Sequence, residues 1–154
     1  MKILCDHMLG SLATWLRILG FDTFYPDATM TDEEIIKRAK TEHRLLITRD
    51  KALFIKAKKE QVRTVNLQTT HLTEQLKQTL HTIPFDTSLM FTRCTVCNTL
   101  LKAVDKNTVK QHVPPKVFET KDVFWYCDVC DKYYWMGTHY DNMMRTINKL
   151  TQQT

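Results

Sequence analysis

Two sets of residues in this chain have types and spacings that could do chemistry. Cys94-Thr95-Val96-Cys97 and Cys127-Asp128-Val129-Cys130 hold four of the five cysteines. A Cys-x-x-Cys turn brings two thiolates within reach of one ion, and two such turns complete the tetrahedral sulfur site that zinc prefers. Asn98 and Asp131, which follow the two pairs, tolerate the left-handed backbone of a tight knuckle. The second set is acidic and consists of Asp6, Asp32 and Asp50. Carboxylates gathered at one sheet edge repel one another, and Mg²⁺ or Mn²⁺ is the natural way to neutralise them. Such ions activate water and hold the attacking and leaving oxygens in phosphodiester cleavage. The chemistry expected of the acids is therefore hydrolysis of a nucleic-acid backbone.

Each set has a plainer reading. The cysteines could pair as disulfides, which belong to oxidising compartments. Met1-Lys2-Ile3-Leu4-Cys5-Asp6 meets a charge too soon for a secretory apolar region, so a reducing, cytoplasmic setting and zinc are expected. No run of about 18 apolar residues could span a membrane. Asp32 is favoured at a helix start by the dipole alone, and Asp50 could cap a helix after Thr48-Arg49. Asp6 has no such structural role, because it follows a buried strand and precedes an almost wholly apolar helix. Four thiolates leave zinc no open position for water, so the cysteine module reads as a staple, and as an RNA-facing wall beside the acids.

These residues need a scaffold to hold them. The first eighty residues alternate short β-rich runs with helix-period segments, the pattern of a parallel sheet flanked by helices. Ile3 to Cys5, Asp22 to Tyr25, Leu45 to Thr48, and the region of Val65 and Leu67 read as strands. Between them, Leu9, Leu12, Ala13 and Leu16 recur at helical spacing, and Gly20 stops that helix as a left-handed cap. Thr31-Asp32-Glu33-Glu34 fits a capping box. Lys51 to Lys59 and Thr73 to Leu80 complete the helices, and in such sheets ligands bind beyond the carboxyl ends of the strands.

The predicted boundary lies at Ile83-Pro84-Phe85, giving an α/β domain over residues 1–85 and a zinc ribbon with a closing helix over 86–154. The 29 residues between Cys97 and Cys127 exceed the usual roughly 15–20 and are expected to form a hairpin turning near Val113-Pro114-Pro115. The aromatic flanks Phe124-Trp125-Tyr126 and Tyr133-Tyr134-Trp135 should pack the small module. His7 and His112 are metal ligands only if one thiolate does not serve, and Cys5 reads as a small buried residue.

With 154 residues, 43% hydrophobic, three glycines and four prolines, the chain can bury a real core and leaves little room for linkers. The net charge of +5 divides into +2 over residues 1–90, from 13 basic and 11 acidic side chains, and +3 over 91–154, from nine and six. Mild basicity permits nucleic-acid binding without demonstrating it. Lys51, Lys56, Lys58 and Lys59 form the densest local cluster, which also fits the solvated face of a helix.

The stretch from Asp6-His7-Met8-Leu9-Gly10-Ser11-Leu12-Ala13-Thr14-Trp15-Leu16-Arg17 to Thr23 opens a pattern that continues with Thr31-Asp32-Glu33-Glu34 and Leu46-Ile47-Thr48-Arg49-Asp50. Together with the cysteine pairs and Tyr134-Trp135-Met136-Gly137-Thr138-His139-Tyr140, it resembles the Mut-7 C-terminal RNase domain family across nearly the whole chain. The resemblance implies a PIN-like parallel α/β fold with an added zinc ribbon, and ribonuclease activity with Asp6, Asp32 and Asp50 as metal-binding acids. Among other matched residues, Arg17 and Arg49 would bind phosphate or neutralise the acids, with a structural salt bridge as the alternative for either. His139 would contact RNA or assist proton transfer, or satisfy a hydrogen bond inside the ribbon. Many PIN-fold nucleases carry a further acid just after the position of Asp50, where Ala52-Leu53-Phe54 stands here. A nucleic-acid-binding adaptor with a decayed site is therefore the alternative. A phosphorylation-receiver domain fits less well, since Cys5 stands before Asp6 and no lysine marks a later strand end.

Overall fold

In the computed structural model, which describes residues 1–152 apart from the side chain of His139, the chain forms two units, residues 1–98 and 99–154. The first unit alternates β1 (Lys2–Cys5), α1 (Gly10–Ile18), β2 (Asp22–Phe24), α2 (Asp32–Thr41), β3 (Leu45–Thr48), α3 (Lys51–Lys59), β4 (Thr64–Asn66) and α4 (Leu72–Thr82). The strands pair in the order β2-β1-β3-β4, and all are parallel, with Ile3 opposite both Thr23 and Leu45, and Ile47 opposite Val65.

Parallel strands covered on both faces must be apolar throughout, and here they are. Leu4 and Leu46 point to one face and meet Ile35, Ile36 and Ala39 of α2 and Leu53 and Ala57 of α3. Ile3, Cys5 and Ile47 alternate to the other face, the side on which α1 and α4 pack against each other. Burial pushes the Cys5 thiol far up, mainly by desolvation, so it stays a neutral packing residue.

Local signals fix the helix ends. The predicted capping box of α2 forms in both directions, with the Glu34 amide donating to Thr31 Oγ1 and the Thr31 amide donating to Glu34 Oε2. Gly20 ends α1 at φ +94°, and a Cβ there would lie 2.1 Å from the Leu89 carbonyl oxygen, so only glycine fits. The first unit runs past Pro84 through a 3₁₀ turn at Thr87–Leu89 to the first cysteine pair.

The second unit holds β5 (Lys102–Val104), α5 (Pro115–Thr120), β6 (Phe124–Cys127), β7 (Lys132–Trp135) and α6 (Thr138–Gln152). Its sheet is antiparallel in the order β5-β6-β7. The expected reversal about Val113-Pro114-Pro115 does pair β5 with β6 antiparallel, but in place of a tight hairpin turn the connection carries a 3₁₀ turn at Lys106–Thr108 and α5. Pro115 opens that helix, where its fixed φ suits the first turn and its missing amide is no loss. Val109, Val113 and Phe124 are buried, with Val117, Tyr133 and Trp135 packed around them.

Candidate active site and metal centre

The strand order reverses direction between β1 and β3. From β1 the chain steps outward to β2, and from β3 it steps the other way to β4. Loops leaving the carboxyl ends of two such strands diverge and leave a crevice, the topological switch point of an open α/β sheet. Asp6 follows β1 and Asp50 follows β3 by two residues, so both acids stand at that crevice.

Asp6 is buried at 7% exposure. Its amide extends the β1–β3 ladder by donating to the Ile47 carbonyl at 2.9 Å. Its carboxylate accepts from the His7 amide at 2.7 Å and from the Thr48 hydroxyl at 2.8 Å. Burial raises its pKa above the usual 3.8, the Thr48 and His7 bonds counteract, and the charge of Asp32 adds to the rise. Met8, two residues on, takes φ +75° and is exposed, so the loop leaving Asp6 is locally strained.

The side chain that joins the site is Thr48, a fully buried residue that sequence reasoning treated only as the end of a strand. Its hydroxyl donates to Asp6 and accepts from the Asp50 amide at 2.9 Å. The available signal was a threonine two residues before an acid, the spacing of a side-chain turn.

Asp50 caps α3. Its Oδ1 accepts from the amides of Ala52 at 2.8 Å and Leu53 at 3.2 Å, so the capping role is realised and Oδ2 faces no such demand. Asp32 opens α2 with a 37% exposed side chain and lies 3.9 Å from Lys56 Nζ, which also reaches Glu33 at 3.7 Å. Arg49, half-buried between Thr48 and Asp50, makes no hydrogen bond or ion pair among the described residues.

Arg17 is placed elsewhere. It sits in the last turn of α1, at the far end of that helix from Asp6, and is buried. Its guanidinium donates to the Thr23 carbonyl at 3.0 Å and to the carbonyls of Thr95 and Val96 at 3.1 and 3.0 Å. Those carbonyls belong to the first cysteine turn, so Arg17 braces the knuckle and is unavailable to phosphate. The side chain of His139 lies outside the described residues.

The same end of the sheet anchors Asn98. Its side chain accepts from the Thr23 amide at 3.0 Å and donates to Asp22 Oδ1 at 2.8 Å. Asp22 opens β2, so the first knuckle is tied to the amino edge of that strand, whereas the acids lie at the carboxyl edge. The first knuckle therefore does not form a wall beside the acids.

The ligand atoms of Cys94, Cys97, Cys127 and Cys130 all lie within 4.8 Å of one another, two of the residues being buried and two half-buried. None of the five cysteines is in a disulfide. Asn98 at φ +72° and Asp131 at φ +52° take the left-handed conformation expected of knuckle residues, and the Cys130 amide points at Cys127 Sγ at 3.4 Å. Four thiols at this separation fit a tetrahedral zinc ion. Neither histidine is needed as a substitute ligand, since His7 donates through Nε2 to the Asp27 carbonyl and His112 stacks on Tyr133.

Fold and site together define an α/β protein with acids at a switch point and a four-cysteine cluster able to hold zinc. The family model of the Mut7-C RNAse domain matches residues 1–147. The chain belongs to that family, which points to a nuclease. Comparisons with curated proteins and with solved structures return no match.

Proposed function

We propose that this chain is a divalent-metal-dependent ribonuclease whose reaction takes place at the switch point. The observation that carries this reading is the buried Asp6 carboxylate at the switch point, held by the Thr48 hydroxyl, which also accepts from the Asp50 amide. Burying an acid beside other acids is costly, and a cation removes the cost. Asp6, the Oδ2 of Asp50 and Asp32 would hold Mg²⁺ or Mn²⁺, which supplies a hard Lewis acid for phosphodiester hydrolysis. Thr48 orients Asp6, and Arg49 offers an unengaged fork of donors to a phosphate. The four-cysteine zinc centre is structural, because a saturated ion has no open position. Among the described residues no helix is long and apolar enough to cross a membrane, and a four-thiolate zinc centre suits a reducing, cytoplasmic setting.

Labelled single-stranded RNA incubated with Mg²⁺ or Mn²⁺ should be cut, and Asp6→Asn should lower the rate at least about 100-fold, the scale of losing a positioned catalytic group. Cleavage that survives both Asp6→Asn and Asp50→Asn unchanged would sink the assignment. One observation favours a second reading, a nucleic-acid-binding adaptor: one carboxylate oxygen of Asp50 is already engaged as a helix cap, and Ala52 follows where another acid would strengthen the site. Salt-dependent RNA binding without cleavage in either metal would select it.

A further inference from the structure

The carboxyl end of β2 opens into a groove of about 540 Å³ lined in part by Phe24, Asp27, Met30, Lys37 and Arg38, within the roughly 300–1,000 Å³ of ligand sites. Its floor is firm, because Phe24 and Met30 pack on the core beneath α2 and α3. The Arg38 guanidinium lies over the Phe24 ring at 4.2 Å from the centroid, yet its side chain remains 41% exposed. A guanidinium laid on an aromatic ring keeps an outer planar face, and such faces stack on nucleobases. The charges around the groove are mixed, with Lys37 and Arg38 set against Asp27, Glu34 and Glu42. That balance does not make a phosphate cradle. It suits a neutral planar group carrying both hydrogen-bond donors and acceptors.

The groove is joined to the acidic edge by one residue. His7 donates through Nε2 to the Asp27 carbonyl at 2.7 Å, and its amide donates to Asp6 Oδ1 at 2.7 Å. The Asp27 end of the groove is thereby linked to the loop that carries Asp6.

We propose that this groove is a nucleobase subsite, in which one base of a single-stranded RNA stacks on Arg38 while the adjoining backbone passes the acids. The proposal rests on the ribonuclease reading and adds to it a part of the substrate other than phosphate. Stacking on the groove makes the enzyme prefer unpaired RNA, since a base inside a duplex cannot reach Arg38.

The test uses the full-length, zinc-loaded protein and a series of fluorescent single-stranded oligoribonucleotides, each lacking one base at a different position, without added Mg²⁺ or Mn²⁺. In the parent, the abasic nucleotide at the subsite should weaken binding about fivefold or more, the value of one base stack. Arg38→Ala should erase that penalty, and Arg38→Lys, which keeps the charge but loses the plane, should erase it too. If Arg38→Lys retains the full penalty, or no abasic position matters in a parent that still cleaves RNA, the subsite is refuted and the nuclease reading stands. A parent that neither binds nor cuts any of the oligonucleotides overturns both.

Discussion

The two units of this molecule solve the same problem with unequal means. The parallel-sheet unit buries Ile3, Leu4, Leu46 and Ile47 completely and covers both faces of its sheet with helices. The second unit buries Val109, Val113 and Phe124 together and wraps them with half-exposed aromatics such as Tyr133 and Trp135. A core that small does not offset the conformational entropy of ordering three strands and two helices. A zinc ion on the four thiols would meet the deficit, because metal binding in such modules is itself folding free energy. The same chain thus relies on apolar area in its parallel-sheet unit, whereas its second unit carries two of the four clustered thiols that could supply coordination instead.

Removing the metal should separate the units most sharply. Chelation, or Cys127→Ser, is expected to strip amide protection from β6, β7 and α5, while β1 and β3 keep theirs in hydrogen exchange. The scale is set by the apparent binding free energy of structural zinc, about 10–16 kcal/mol in finger peptides. Equal loss in both units, or loss in neither, would break the contrast.

A covalent change inside the sheet unit should act next most strongly. Gly20→Ala is expected to cost about 2 kcal/mol or more in urea unfolding, since it adds a left-handed penalty to a clash with Leu89. A cost below about 0.5 kcal/mol, the range of ordinary surface changes, would mean that this backbone contact is not fixed.

The smallest effect sharpens the contrast through pH. Asp22 is partly buried, which raises its pKa, but its bonds to Asn98 and Arg44 outweigh burial and leave it below the usual 3.8. A carboxyl depressed in the folded state stabilises the fold above its unfolded pKa and loses that contribution as pH falls through the folded value. Asp22→Asn should therefore cost about 1–2 kcal/mol at neutral pH, with the gap from the parent closing below pH 3.8. Denaturation curves showing a constant gap down to strong acid would remove the ion pair from the account.

Much of the sheet unit was legible because its signals are local. Continuous apolar runs mark buried parallel strands, and Thr31 with Glu34 marks a helix start that forms as read. The excursion of the second unit was misread because Pro114-Pro115 signals a break, and a break can equally be a helix beginning. Arg17 was misread for a different reason. Its partners Thr95 and Val96 lie 78 and 79 residues away, and no periodicity announces a guanidinium satisfied by distant carbonyls. Asp50 offered two roles in the sequence, and only the hydrogen bonds show that capping already engages one of its oxygens.

The single hydroxyl of Thr48 ties the end of one central strand to the carboxylate that follows the other, and it also receives the amide that begins the turn into α3. The acidic edge is thus cross-braced, with its width set by strands, a cap and one shared oxygen rather than by loop sway. An edge braced in this way is stiff, and it will not reshape itself around what arrives. If the acidic edge receives RNA as proposed, the fit must come from the incoming molecule.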